Sequence, residues 1–129
     1  MPNASMSPDE FEGLVQRAYW ELPENFRASL ENVDILVEDV PGLEAADAED
    51  LSDHDHGDNL LGLYVGVPLI DRYAADPMMP DRIYIYRLPI LDICDTREDV
   101  VREVRTTLLH EIGHYLGLSE HDLDRLGYA

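Results

Sequence analysis

His110-Glu111-Ile112-Gly113-His114 is the stretch of this chain whose residue types and spacing could do chemistry. Two histidines four residues apart stand on one face of a helix, where both imidazoles can reach a single Zn²⁺. The glutamate after the first histidine can hold a water at that metal and take its proton. Helices that merely carry two surface histidines produce the same bare pattern. The setting argues for the metal: the motif lies inside a helical pattern over 96–116, and Gly117 follows as a natural stop. A catalytic zinc needs a third protein ligand and an open position. Gly117 lets the chain reverse, so Glu120, His121 and Asp122 are the groups that could swing back. Histidine is the better zinc ligand in general, and spacing is the competing argument.

The element that must position these groups is the long helix. Asp95 and Thr96 are rival N-caps, with Glu98 and Asp99 answering three residues on. Val101, Val104, Leu108, Ile112 and Tyr115 form its core stripe. His110 lies about 200° around from Leu108, so both histidines are expected to look away from the core toward a cleft. Glu103 and Thr107 share that side and can support the ligands from behind. Arg102 and Arg105 read as surface ion-pair partners for the many acids.

Beneath that helix the chain predicts a small sheet and an N-terminal helix. Ser7-Pro8-Asp9-Glu10 opens the helix with an N-cap, a proline at the first position and acids in the first turn. Phe11, Leu14, Val15, Ala18 and Tyr19 follow at helical spacing, and Pro23 ends it. A short second helix over 24–30 brings Phe26 and Leu30 to the same core. Strands are expected at 33–38, 60–67 and 82–87. The glycines of the second suit an edge strand, or a place where another backbone comes close. In the third, Ile83 and Ile85 should face one side and Tyr84 and Tyr86 the other. Residues 71–80 read as loop, and 90–94 as a short apolar turn. The acidic segment 44–59 has no apolar periodicity and is expected to be a mobile loop. His54-Asp55-His56 within it tempts a metal reading, but a solvated acidic loop is the favoured one because loop ligands are not preorganised.

Composition bounds the rest. A chain of 129 residues suits one domain spanning 1–129, and 45% hydrophobic residues mark it as globular. Nine arginines, no lysine and 28 carboxylates leave a net charge of −19, which argues against a nucleic-acid partner and favours basic or metal-ion partners. Cys94 stands alone, so no disulfide framework is expected. The N-terminal residues hold no apolar signal-type stretch, and nowhere is there a run of roughly 18 apolar residues. The expectation is a cytoplasmic protein with no membrane partner.

His110-Glu-Ile-Gly-His114-Tyr-Leu-Gly117-Leu-Ser-Glu120 is similar to the extended zinc signature of the metzincins, with an acidic residue where their third histidine stands. More closely, the chain resembles the short bacterial zincin-like metallopeptidase family. Phe11-Glu12-Gly13-Leu14-Val15, Leu30-Glu31-Asn32-Val33, Leu61-Gly62-Leu63-Tyr64-Val65-Gly66-Val67-Pro68-Leu69, Pro80-Asp81-Arg82-Ile83 and Glu103-Val104-Arg105 carry that resemblance with the histidine motif. It implies Glu120 as third zinc ligand, with His121 the rival, since the family's position there is acidic. The metzincin methionine turn has no counterpart, because none of the fifteen residues after His114 is Met. The implied fold is α+β, a minimal zincin with a mixed twisted sheet packed against the first helix and the zinc helix. Strand 60–67 would sit at the cleft edge and pair with an extended peptide. The implied function is zinc-dependent peptide hydrolysis of a peptide or small protein substrate, with Glu111 as general base. Its competitors are a non-catalytic zinc-binding or peptide-binding module, and a structural site closed by His121 beside Glu120 and both histidines.

Overall fold

Local signals in the chain account for where each element starts and stops. The structure, a computed structural model, describes residues 4–46, 55–56, 59–66, 81–119, 121–122 and 125. In chain order these form helices α1 (Pro8–Trp20) and α2 (Glu24–Ser29), strand β1 (Val33–Glu38) and the short helix α3 (Leu43–Ala46). Strands β2 (Asp55–His56), β3 (Asn59–Leu60), β4 (Gly62–Val65) and β5 (Asp81–Tyr86) follow, then helices α4 (Arg87–Asp92) and α5 (Arg97–Tyr115). Among the described residues no helix is long and apolar enough to cross a membrane.

Helix α1 begins as its sequence predicts, with Ser7 Oγ accepting the Glu10 amide and Pro8 at the first position. Its buried face is Phe11, Leu14, Val15 and Ala18. For α5 the rivalry between Asp95 and Thr96 goes to Thr96. Thr96 Oγ1 accepts the Asp99 amide, while the Asp99 carboxylate accepts the amides of both Thr96 and Asp95. These hydrogen bonds, the Asp95 amide first, hold the Asp99 carboxyl below its ordinary value. At the other end Gly117 takes φ +84°, which only glycine adopts without strain. The Gly117 amide donates to the His114 carbonyl at 3.0 Å and the Leu118 amide to the Gly113 carbonyl at 2.8 Å. That pair of bonds is a Schellman cap, and it ends the helix at Tyr115, one residue after the second histidine.

The sheet has the order β1-β5-β4, with β1 parallel and β4 antiparallel to β5. Alternation along β5 works as expected. Ile83 and Ile85 enter the main core with the buried faces of α1 and α5, whereas Tyr84 and Tyr86 join Leu60 and Leu63 on the opposite face. The mixed sheet with α1 and α5 against one face is the α+β arrangement implied by the sequence.

Three segments differ in detail from expectation. The second strand is shorter than 60–67: β4 holds 62–65, and Leu60 pairs instead with Asp55 in the β2–β3 ladder. Of the acidic segment expected to be loop, the described part is ordered into α3 and that ladder, while 47–54 and 57–58 lie outside the described residues. Leu43-Glu44-Ala45-Ala46 are good helix formers, and Glu44 Oε2 fastens the turn by accepting the Gly42 amide. The expected turn at 90–94 is largely helix α4, which tolerates Pro89 in its first turn because no intrahelical N–H is needed there. The expected loop at 71–80 lies outside the described residues.

Candidate metal centre

Helix α5 sets the site by periodicity. His110 and His114 lie one turn apart with ring centroids separated by 4.9 Å and ring planes inclined at 51°. Two imidazoles so placed are the donor type and the spacing that zinc takes from one helix. Glu111 sits between them in sequence and is wholly buried, and His110 is 8% exposed. His110 Nε2 and both Glu111 carboxylate oxygens are shut off from solvent. His114 is half-buried.

This is more enclosed than the helical wheel alone suggests, and the reason is a second packing surface. One stripe of α5, Val100, Val104, Leu108, Ile112 and Tyr115, fills the main core. Val100 rather than Val101 leads that stripe, with Val101 half-buried. The adjoining stripe meets strand β4. A Cβ added to Gly62 would fall 2.6 Å from Thr107 Cγ2, 3.0 Å from the Tyr84 carbonyl oxygen and 3.4 Å from Glu111 Cγ. Gly62 therefore lets the helix come close enough to bury Thr107 and Glu111 against the sheet. Thr107 and Glu103, expected behind the ligands, bond to each other, with Thr107 Oγ1 donating to Glu103 Oε2 at 3.3 Å. Arg102 and Arg105 make the expected surface ion pairs, with Asp99 and Glu21.

Two further contacts border the site that sequence reasoning did not single out. Tyr86 donates its hydroxyl to Glu44 Oε2 at 2.9 Å and stacks on Tyr84 at 6.2 Å between centroids. Burial pushes the Tyr86 phenol well above its ordinary value, and the bond to Glu44 and the charges of Glu44, Tyr84 and Glu111 push the same way. For Glu44, burial would raise the carboxyl, but the amides of Gly42 and Glu44 itself and the Tyr86 hydroxyl outweigh it and hold the group low. Along β4, Tyr64 donates to Asp81 Oδ2 at 2.8 Å and packs edge-on against Tyr115, next to His114. Alternation of tyrosines along β5 was a usable signal for Tyr86. Nothing in the acidic segment marked Glu44.

The other predicted ligands are distributed as follows. Glu120 and His54 lie outside the described residues. His121 is exposed, one turn beyond the Schellman cap, where Ser119 and Asp122 cap each other through paired side-chain–amide bonds. His56 pairs through its backbone with Asn59 in the β2–β3 ladder. Among the described residues no group of three or more His, Cys, Asp or Glu converges as a metal site. His110 and His114 are donors of the kind zinc takes, and among the described residues no third donor converges on them.

A helix carrying two imidazoles and a glutamate, laid along a strand of a mixed sheet, defines the zincin-like class. A sequence profile of zincin-like metallopeptidases matches residues 30–128, and the chain belongs to that family. The chain is also similar to a solved structure, a conserved hypothetical protein from Thermo thermophilus. The two are 25% identical, with 86% of this chain and 94% of that chain covered and a TM-score of 0.52. No curated protein matches.

Proposed function

We propose that the protein is a zinc-dependent peptidase in which His110, His114 and Glu120 hold the metal and Glu111 is the general base. The observation that carries this reading is the pair of imidazoles 4.9 Å apart with Glu111 buried beside them. Zinc, when bound, supplies Lewis-acid polarisation of the peptide carbonyl and acidifies water. Glu111 then takes the proton of the attacking water on its carboxylate and delivers it to the leaving amine. Strand β4 orients the substrate. Its ladder with β5 directs the backbone N–H and C=O of Gly62 away from β5, where an extended chain would pair.

One observation favours the competing reading, a zincin scaffold kept for binding. Glu111 is 0% exposed, so water and substrate reach it only if the site opens. The two readings part at a single experiment. Purified protein should carry about one zinc per chain, and His110→Ala or His114→Ala should abolish it. Glu111→Gln should keep zinc and thermal stability while peptide cleavage falls by roughly 10²–10⁴-fold. Undiminished zinc in either histidine variant would remove the site assignment. A zinc-loaded wild type that cleaves nothing in a broad peptide library would leave the binding scaffold. Within the ligand set, Glu120→Ala should weaken zinc more than His121→Ala, and the reverse order in a metal titration would transfer the role to His121.

A further inference from the structure

The geometry points to a second peptide-docking edge, on β1, built to take an extended partner segment in which basic and apolar side chains alternate. It lies at the opposite end of the sheet from β4 and does not depend on the metal centre. Among the described residues no strand pairs with the outer edge of β1, which runs six residues without a glycine or proline. An edge of that length presents a row of backbone donors and acceptors, a template for an added strand.

Beside that edge runs a groove of about 260 Å³ between α1 and β1. Val15, Tyr19 and Trp20 form one wall and Val33, Ile35 and Val37 the other. Trp20 is 68% exposed, the kind of large apolar surface that contacts partners when it is fixed in place. It is fixed here. Its ring meets Tyr19 edge-on at 5.3 Å, and the Arg27 guanidinium lies 5.5 Å from the ring centroid. Arg27 is itself held by the carbonyls of Trp20 and Leu22. An aromatic ledge already ordered loses little entropy on binding.

Charge selects the occupant. Glu12 and Asp34 line the same groove, and Glu38 is exposed at the end of the strand. With the chain at −19, those carboxylates repel a second copy and acidic segments, while arginine or lysine side chains would meet them with complementary charge. The alternating period of an added strand then places its basic groups beside Asp34 and Glu38 on one face and its apolar groups against Trp20 and Val37 on the other.

Trp20 is the sole tryptophan of the chain, so its fluorescence reports on this groove alone. The probe is a short synthetic peptide of alternating arginine and valine, titrated into the full-length protein with zinc present and with zinc chelated. A saturable change in emission that weakens with salt is expected in both conditions, while the matching glutamate–valine peptide should give none. N-methylating every second residue of the basic peptide should abolish binding in one phase and spare it in the other, because an added strand turns only alternate amides to its partner. Asp34→Asn and Glu38→Gln should each weaken binding by roughly two- to fivefold, read by anisotropy of labelled peptide. Equal response to the acidic peptide, indifference to both N-methyl phases, or no saturable change would overturn the proposal. So would a wild-type dimer that Trp20→Ser converts to monomer in sedimentation, which would assign the groove to a second copy. Because the basic peptide should bind with zinc chelated, loss of the zinc reading would leave this one standing.

Discussion

β1 and β4 flank the same central strand and, among the described residues, form the two edges of its sheet, yet they are built for different neighbours. β1 is six residues long, with half-buried Val33, Ile35 and Val37 facing α1 and exposed Asp34 and Glu38 between and beyond them. β4 is four residues long, opens on Gly62 and gives way to Gly66, whose φ of +154° and contact with Asp81 leave no room for a side chain. At Gly62 the absent side chain is replaced by Thr107 and Glu111 of α5. The difference teaches where a sheet keeps its regularity. It does so where only side chains approach, and gives it up where a helix carrying reactive groups must touch backbone.

The largest structural effect should come from filling that space. Gly62→Val places a branched side chain where even a Cβ lies 2.6 Å from Thr107 and 3.0 Å from the backbone oxygen of Tyr84. The Thr107 side chain can shift slightly, but the Tyr84 carbonyl belongs to the central strand and cannot. Overpacking of this kind costs about 1–3 kcal/mol, so thermal unfolding should move down by several degrees. The variant should also lose zinc affinity, because α5 must move away from β4. A variant that melts with wild type and binds zinc as well would mean that β4 and α5 are not in close contact, and the contrast between the two edges would disappear.

A smaller effect is expected from Tyr86→Phe, which tests whether the tyrosine face of β5 braces the same end of the molecule. The substitution removes the hydroxyl that donates to Glu44 and keeps the ring stacked on Tyr84. Because Glu44 is half-exposed, the loss should be about 1 kcal/mol, toward the low end for a bond to a charged acceptor. The pH dependence gives a sharper readout. Glu44 is held below its ordinary value, so its stabilisation is present above the unfolded carboxylate pKa and is lost as pH falls through the lower folded value. Removing one of the groups that lowers it should make that acid loss shallower. Melting curves of both proteins from neutral to acid pH will show parallel acid limbs if the bond contributes nothing.

How much of this was legible in the sequence differs between the same two regions. β1, α1 and both ends of α5 follow local rules, namely alternation, Ser7-Pro8, Thr96 with Asp99, and Gly117, and each stands where those rules put it. The alternation of Ile83, Tyr84, Ile85 and Tyr86 correctly divided the two faces of β5. What the chain could not disclose is set by contacts between distant segments. The helical wheel of α5 identifies a side opposite Leu108 but not what covers it, so His110 is expected at a cleft and is found enclosed, with Glu111 wholly buried beside it. The glycines of β4 carried both readings, edge strand and close approach; Gly62 shows the close approach, and among the described residues its strand is an edge. Glu44 meets Tyr86 across 42 positions of chain, a separation at which no local pattern speaks.

The smallest expected effect belongs to β1 and completes the comparison. Asp34 is exposed on an edge strand, and the structure gives its carboxylate no role in the core. Asp34→Asn keeps the side-chain shape and removes one charge from a chain carrying −19. Surface substitutions away from packing and capping features stay within about 0.5 kcal/mol. Relief of self-repulsion acts in the stabilising direction, most visibly at low ionic strength where charges are least screened. The melting temperature should therefore hold or rise slightly in low salt, and the rise should vanish in high salt. A loss comparable to that of Gly62→Val would mean that β1 is as tightly constrained by its neighbours as β4 is. In that event the freedom of the β1 edge, and the charge-based choice of partner argued from it, would both have to be abandoned.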